Sequence, residues 1–341
     1  MTARGMILAA GFGTRLGALS DERPKPLLPV ADVPLVRWAL ALLHGAGIRD
    51  VVVNLHHQGE LIRRELAGVP GVAFSPEARI LGTGGGIRHA LPHLGDEAFV
   101  VVNGKIVVDL DLGEVLAAHR AAGAQATLVV RADPEARRWG AIDAPAAGGP
   151  IRGLLGDGAF MFTGVHVLEP ALVRSLADDG AERCIVRDGY VPWLAAGVPL
   201  HAFVARGYFM EHSTPERYLA GNVNVLRGVA RVRHAPAGLT GVDPAARVAP
   251  SATIAPPVRV GPGADIGAGA TVGPDAVIGA RATVAPGVRV AASVVWPDSA
   301  VTSDAEGAIV TPRQRLEVPG FTAVGGVTAA GSDPAAGPRR P

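Results

Sequence analysis

The sequence feature that most constrains the fold is a six-residue repeat in the second half of the chain. Gly or Ala follows eight of the nine repeating residues, and a repeat of this kind stacks short strands into a parallel β-helix with the repeating side chains inside. The pattern weakens after Trp296 and predicts about three coils, which we place at residues 229–312. The repeating residues are Val242, Val248, Ile254, Val260, Ile266, Val272, Ile278, Val284 and Val290.

The first 228 residues alternate between strand-like and helix-like segments. Apolar runs at Gly5–Ala10, Asp50–Asn54 and Phe99–Val102 are typical of buried strands, and residues 35–43 carry the apolar spacing of an amphipathic helix. This alternation predicts an α/β domain with a mostly parallel sheet and helices on both faces. Ligands of such sheets bind beyond the carboxyl ends of the strands.

Composition narrows the class of protein. The net charge is +1, with no basic or acidic run, so we expect no nucleic-acid partner. No apolar run is long enough to predict a membrane span. The single cysteine, Cys184, excludes an internal disulfide and favours a cytoplasmic location. Residues 313–341 are rich in Pro, Gly and Ala, and we predict a partly disordered C-terminal tail.

A glycine-rich loop follows the first predicted strand, within LAAGFGTRLGALSDERPKPLLPV at Leu8–Val30. Gly11 and Gly13 allow backbone N–H groups to approach phosphate oxygens without a Cβ in the way. Arg15 and Lys25 add positive charge. Of the 32 basic residues only two are lysines, which makes each lysine informative. The prolines on both sides of Lys25 predict an extended backbone there.

This stretch closely resembles the signature of sugar-1-phosphate nucleotidyltransferases, the NDP-sugar pyrophosphorylases. A second segment, Val53–Leu66, resembles the mannose-1-phosphate guanylyltransferase and N-acetylmuramate-1-phosphate uridylyltransferase branches of this family. The resemblance implies a Rossmann-like nucleotidyltransferase domain at residues 1–228, followed by a short left-handed β-helix that often mediates oligomerisation. The matching segments are VNLHHQGELIRREL (Val53–Leu66), SPEARILGTGGGI (Ser75–Ile87), VVNGK (Val101–Lys105), RRWGAI (Arg137–Ile142), FMFTGVHVL (Phe160–Leu168) and GYFMEHSTPERYL (Gly207–Leu219).

The resemblance also implies an activity. The substrates would be a nucleoside triphosphate and a sugar 1-phosphate, with GTP and mannose 1-phosphate favoured and UTP next, and Mg²⁺ as cofactor. Arg15 and Lys25 would contact the phosphates, while Glu77 would either bond the base or ribose or face solvent. The other implied contacts are Ala10, Gly11, Gly13, Thr14, Gly82, Thr83 and Asn103 for the nucleotide, and Gly140, Thr163 and Gly164 for the sugar.

The chain departs from this family at its metal site. The family holds Mg²⁺ with two aspartates, where this chain has Lys105 and Glu211. Mg²⁺ requires oxygen ligands, which leaves Glu211 as the expected metal ligand, because an ammonium cannot coordinate a metal. Three interpretations stay open. Lys105 faces solvent; or it pairs with Glu211 and replaces the metal beside the α-phosphate; or catalysis is lost and the protein is a sugar-nucleotide sensor or regulator.

Hexapeptide β-helices also occur in acyltransferases, which usually need a histidine base in or beside the coils. No histidine follows His234 in this chain. We therefore predict a structural β-helix that supports a homo-oligomer.

Overall fold

A computed structural model of the chain describes residues 3–321. The first domain contains fourteen strands, eight α-helices and short 3₁₀ and π-helical segments. The strands are β1 Gly5–Leu8, β2 Pro29–Val30, β3 Val33–Pro34, β4 Val51–Leu55, β5 Val72–Pro76, β6 Phe99–Asn103, β7 Ile106–Val108, β8 Ala126–Ala132, β9 Ala141–Asp143, β10 Gly149–Pro150, β11 Gly153–Gly156, β12 Phe160–Leu168, β13 Leu200–Val204 and β14 Phe209–Glu211. The helices are α1 Leu19–Glu22, α2 Leu35–Gly45, α3 Gly59–Glu65, α4 Gly82–Leu94, α5 Leu112–Ala122, α6 Pro170–Arg174, α7 Val191–Ala195 and α8 Pro215–Leu226.

One large sheet forms the centre of this domain. Its strand order is β10-β13-β8-β12-β6-β1-β4-β5, with β9 and β11 joined at the side of β12. Along this order neighbours pair in parallel except at β12, which runs antiparallel to β6 and β8, and at β10, which runs antiparallel to β13. At the side of the sheet, β9 pairs antiparallel with both β12 and β11. The predicted mostly parallel sheet is therefore confirmed.

Helices cover both faces of the sheet, because alternate residues of each buried strand point to opposite sides. Ile7 and Val53 pack in one apolar cluster with residues of α2 and α5. Met6 and Val52 pack in a second cluster with residues of α4 and α6. This double coverage explains why these strands are apolar throughout rather than alternating.

The second domain is a stack of parallel strands in three narrow sheets, the arrangement of a left-handed β-helix. One sheet pairs Val242 with Val260, Val260 with Ile278, and Ile278 with Val295. The first coil has a neighbour on one side, and Val242 is 42% exposed there. The strands are β15 Gly241–Val242, β16 Arg247–Val248, β17 Thr253–Ile254, β18 Val258–Val260, β19 Asp265–Ile266, β20 Thr271–Val272, β21 Ala276–Ile278, β22 Thr283–Val284, β23 Arg289–Ala291, β24 Val294–Val295, β25 Ala300–Val301, β26 Ala305–Glu306, β27 Ala308–Val310 and β28 Arg315–Glu317.

The β-helix is longer than the repeat predicted. Four complete coils are followed by β27, and Val295 pairs with Val310 beyond the point where the hexad pattern weakens. The last coils have a shorter spacing between stacked residues, which hides them from a strict six-residue search. Strand β28 pairs antiparallel with β27 within the predicted tail, and residues 322–341 lie outside the described part. The domain boundaries stay predictions.

The two domains contact each other through helix α8 and the chain segment after the glycine loop. The Tyr218 hydroxyl donates to the Pro29 carbonyl at 2.6 Å and accepts from the indole N–H of Trp296 at 3.0 Å. Arg227, directly after α8, makes two 2.8 Å bonds to Asp275 in the β-helix. The β-helix therefore packs directly against the segment that carries the first lysine.

A second contact lies at the far end of the β-helix. The carboxylate of Glu22, in α1, accepts from the hydroxyl of Thr311 and from the side-chain amide of Gln314, the latter at 2.8 Å. Arg23 lies over the ring of Trp296, with the guanidinium carbon 5.5 Å from the ring centre. The segment after the glycine loop is thus held by side chains from the last coils. Within residues 3–321, no helix is both long and apolar enough to cross a bilayer.

Candidate active site

A cavity of about 340 Å³ opens at the carboxyl ends of β1, β4 and β6. Parallel strands converge at this edge of the sheet, where the sequence predicts ligand binding. Eight predicted site residues line it. The lining consists of Leu8, Ala9, Ala10, Gly11, Gly13, Lys25, Pro26, Asn54, Ile80, Gly82, Thr83, Asn103, Gly104, Lys105, Glu182, Cys184 and Arg187.

The glycine loop forms one wall of the cavity. Gly13 has a φ of 73°, and a Cβ there would lie 3.0 Å from the Ser20 hydroxyl and 3.6 Å from Cε of Lys25. Ser20 donates to the Gly13 carbonyl at 2.7 Å, which closes the loop. A Cβ on Gly11 would meet nothing within 4 Å, so the backbone at Gly11 faces open space. Thr14 begins a 3₁₀ turn beside the loop and does not line the cavity.

Lys25 is buried at the floor of the cavity with 9% of its surface exposed. Burial, together with the neighbouring cations Lys105 and Arg15, lowers its pKa from 10.5 to about 8. Among the described residues, no hydrogen bond or ion pair reaches its Nζ. The expected extended backbone is wrong, because Lys25–Leu27 forms a 3₁₀ turn closed by a 2.8 Å bond from the Leu27 N–H to the Pro24 carbonyl. The structure therefore presents an unpartnered buried cation to the cavity.

Lys105 pairs with Glu211 across a two-stranded sheet. Strands β7 and β14 are antiparallel, and the N–H of His212 donates to the Lys105 carbonyl at 3.0 Å. Lys105 Nζ lies 2.7 Å from Oε1 of Glu211, and Arg15 Nη2 lies 3.1 Å from the same oxygen. The Lys105 side chain is 30% exposed, so it does not simply point into solvent.

The electrostatics of Glu211 follow from these neighbours. Burial by itself raises the pKa of the carboxyl, but the attraction of Lys105, their hydrogen bond and the Arg15 charge outweigh burial and lower it to about 2. The carboxylate is therefore ionised at neutral pH and holds two cations at one oxygen.

This donor set does not fit a metal ion held by the protein. Within residues 3–321, no group of three or more His, Cys, Asp or Glu side chains is placed to hold a metal. Asp109 and Asp111 are engaged elsewhere, since both accept from Arg233, at 3.3 and 2.8 Å, and Asp111 also caps α5. Glu211 would stand as a lone carboxylate ligand beside the Lys105 ammonium.

Two predicted nucleotide-binding residues, Glu77 and Thr83, lie between the end of β5 and the first turn of α4 and have different surroundings. Glu77 is 6% exposed, and its two oxygens accept from the side-chain amide of Asn54 at 2.7 Å and the N–H of Leu81 at 3.0 Å. The Glu77 carboxylate therefore neither faces solvent nor is free to contact a base, because each of its oxygens accepts a hydrogen bond from the protein. Thr83 lines the cavity, and its hydroxyl accepts from the N–H of Ile185 at 2.9 Å.

The three residues implied for the sugar do not line the cavity themselves. The Thr163 hydroxyl is buried and donates to the Val129 carbonyl at 2.7 Å. Gly164 has a φ of 83°, and a Cβ there would lie 2.0 Å from Nδ2 of Asn103. Gly140 also has a φ of 83° and lies against Leu155. Because Gly164 has no Cβ, the Asn103 side chain has room to lie in the cavity wall.

Sequence reasoning missed part of the lining. Asn54 follows a run of three valines in a buried strand just as Asn103 does, and that shared pattern could have identified it. Its Oδ1 accepts from the N–H of Ala9 at 2.6 Å and so fixes the start of the glycine loop. Glu182, Cys184 and Arg187 carry no such signal.

Part of the first domain is similar to a known protein family. Residues 4–154 match the family model described as "Nucleotidyl transferase". The glycine loop and 14 of the 17 lining residues lie within this range, whereas strands β12 and β13 and the lining residues Glu182, Cys184 and Arg187 follow it.

Two curated relatives illustrate the similarity. An N-acetylmuramate alpha-1-phosphate uridylyltransferase of Neisseria meningitidis serogroup B is 46% identical over 114 residues, which cover 32% of this chain and 49% of the relative. A mannose-1-phosphate guanyltransferase of Yarrowia lipolytica is 29% identical over 241 residues, which cover 67% of this chain and 65% of the relative. The chain thus spans about half of the first relative and just under two thirds of the second.

Solved structures share the fold. HddC from Yersinia pseudotuberculosis complexed with GMP-PN aligns with a TM-score of 0.56 at 21% identity, covering 65% of this chain and 98% of that one. The UDP-glucose pyrophosphorylase from Acinetobacter baumanii aligns with a TM-score of 0.58 at 18% identity, covering 67% and 94%. At these identities the similarity establishes the Rossmann-like nucleotidyltransferase fold alone.

Proposed function

We propose that the protein joins a nucleoside triphosphate to a sugar 1-phosphate, giving an NDP-sugar and pyrophosphate. The observation that carries this proposal is the unpartnered, buried Lys25 beside a glycine loop in the cavity at the strand ends. The names of the curated relatives favour GTP with mannose 1-phosphate, and UTP next.

The reaction requires the protein to position the two substrates and to supply positive charge beside their phosphates. A phosphate oxygen of the sugar 1-phosphate attacks the α-phosphorus and forms a new P–O bond. The bond between the α-phosphorus and the bridging oxygen breaks, and its electron pair leaves with pyrophosphate. No proton has to move, so cations beside the phosphates supply the stabilisation. We assign this role to Arg15, Lys25 and Lys105.

The other predicted residues take supporting roles in this proposal. We assign nucleotide contacts to Ala10, Gly11, Gly13, Gly82, Thr83 and Asn103, all of which line the cavity. Thr14 shapes the glycine loop, and Glu77 fixes the wall through Asn54. On the sugar side, Gly140, Thr163 and Gly164 act through the backbone and through Asn103.

The proposal includes an altered metal site. Glu211 is the one carboxylate left at the expected position, and Lys105 and Arg15 occupy its oxygen. Any Mg²⁺ in the reaction would therefore arrive with the triphosphate and not be held by the protein. A second candidate function rests on the same ion pair: a catalytically impaired protein that binds sugar nucleotides as a sensor or regulator.

We also propose a cytoplasmic homo-oligomer. The first coil of the β-helix leaves Val242 42% exposed and its outer strand edges unpaired in the described chain, which favours contact with a second copy. Sedimentation equilibrium tests this point, and a monomer at micromolar concentration would exclude it.

The decisive experiment measures pyrophosphate release by the purified protein. GTP, UTP, ATP and dTTP are each offered with mannose, glucose, N-acetylglucosamine and N-acetylmuramate 1-phosphates, with Mg²⁺ and with a chelator. Release with one pair establishes the activity and its substrates. Binding of a nucleotide without release from any pair would favour the regulatory function instead.

A further inference from the structure

Three cations and one carboxylate meet beside the cavity, which Lys25 and Lys105 line. Arg15 and Lys105 share one oxygen of Glu211. Lys25 lies close enough for the positive charges of Arg15 and Lys105 to repel its own. The group therefore has two positive charges in excess. A cluster with this balance attracts anions and disfavours a further cation, because like charges repel strongly in a partly buried site.

A divalent ion would have to displace this arrangement before it could bind. Its carboxylate ligand, Glu211, already accepts from Lys105 at 2.7 Å and from Arg15 at 3.1 Å through the same oxygen. Mg²⁺ needs near-octahedral oxygen ligands, and the residue at the first expected ligand position is a donor without lone pairs. The geometry and the charge oppose a bound metal together.

Lys105 is in turn well placed to act on an anion. Its ammonium carries three donors, of which one is used on Glu211, and it lines the cavity with 30% of its side chain exposed. The ion pair fixes its direction, which lowers the entropy lost when a phosphate oxygen binds. Backbone pairing between β7 and β14 holds both partners in register.

We propose that Lys105, oriented by Glu211, is the fixed cation of this phosphate site, and that the protein binds nucleoside triphosphate without holding a divalent ion itself. This inference rests on the proposed function, since it assigns the cation that would stabilise charge on the reacting phosphates. In that role Lys105 is a catalytic residue and Glu211 a positioning residue.

Binding of metal-free nucleotide tests the first half of the proposal. GTP and UTP are titrated into the full-length protein in excess chelator and followed by calorimetry. We expect binding of at least one nucleotide by the wild type, at least tenfold weaker binding by Lys105→Met, and recovery in Lys105→Arg. Circular dichroism confirms that each variant is folded. Equal affinities of the wild type and Lys105→Met, or binding of both nucleotides only with Mg²⁺, would overturn the proposal.

Binding of Mn²⁺ to the nucleotide-free protein tests the second half. Lys105→Asp and Lys105→Asn form a matched pair, because they differ in charge and hardly in size. We expect no stoichiometric Mn²⁺ site by electron paramagnetic resonance in the wild type or in Lys105→Asn, and a site in Lys105→Asp that disappears when Glu211→Gln is added. One Mn²⁺ bound to the wild type and lost in Glu211→Gln would refute the inference.

These binding measurements separate the inference from the proposed function. Failure of pyrophosphate release with every substrate pair would count against the enzyme, whereas the nucleotide and Mn²⁺ titrations would still decide the role of Lys105.

Discussion

Lys25→Met should make the protein more stable while weakening the proposed phosphate site. In the folded protein, burial and the nearby cations lower the pKa of Lys25 from 10.5 to about 8. At 1.36 kcal/mol per pKa unit, keeping this side chain charged costs the folded state about 3 kcal/mol at neutral pH. Methionine retains the unbranched apolar stem without the charge, so the free energy of unfolding should rise by up to that amount.

The pH dependence of this effect has a definite sign. Between pH 8 and 10.5 the folded protein has lost the Lys25 proton while the unfolded chain still binds it, so the stability of the wild type rises with pH. Above 10.5 both states are neutral at this residue and the cost disappears. The stability gap between Lys25→Met and the wild type should therefore be largest near pH 7 and close by about pH 10.5.

Urea unfolding followed by tryptophan fluorescence at several pH values measures the gap, because titrating groups away from Lys25 contribute equally to both proteins. Lys105→Met is the matched control. It removes the other lysine of the chain but takes a partner from Glu211, and it should lower stability. A gap that is absent at pH 7, or constant across the range, would contradict the reasoning, and so would stabilisation by Lys105→Met.

Three further substitutions test the site and the domain contact. Gly164→Ala places a Cβ 2.0 Å from Nδ2 of Asn103 at a φ of 83°, and should cost about 2 kcal/mol in urea unfolding and weaken nucleotide binding in calorimetry. Unchanged affinity would contradict a contact between Asn103 and the nucleotide. Arg227→Ala leaves the buried Asp275 carboxylate unpaired and should cost about 3 kcal/mol in thermal unfolding, whereas an unchanged melting temperature would mean the pair adds nothing. Glu211→Gln should be about 3 kcal/mol less stable than the wild type above pH 4.5, and the difference should vanish as the pH falls towards 2; a pH-independent difference would contradict the assigned charge.

The sequence predicts the fold well where structure depends on local patterns. Buried apolar strands and a six-residue period specify both domains, because strand register and coil stacking repeat along the chain. The last coils escaped prediction, since stacking from Val295 to Val310 departs from the regular period.

Site residues that follow strands could be predicted from the sequence. Site residues whose position depends on tertiary packing were missed. Lys25 and Lys105 stood out because lysine is rare in this chain, and pairing of Lys105 with Glu211 was one of three open interpretations. Nothing in the local sequence places Glu182 at the cavity, because that depends on the packing of residues 181–185 against the start of α4. The inward position of Glu77 likewise depends on a partner, Asn54, that lies in another strand.

The contact between Glu22 and the last coils has a consequence for synthesis of the protein. The glycine loop and both lysines are translated well before Thr311 and Gln314, which follow Glu22 by 289 and 292 residues and bind its carboxylate. A nascent chain that ends before Thr311 would carry every predicted catalytic side chain and still lack both of these bonds to Glu22. Support of the segment after the glycine loop is thus completed only when residues more than 200 positions after Lys105 have been translated.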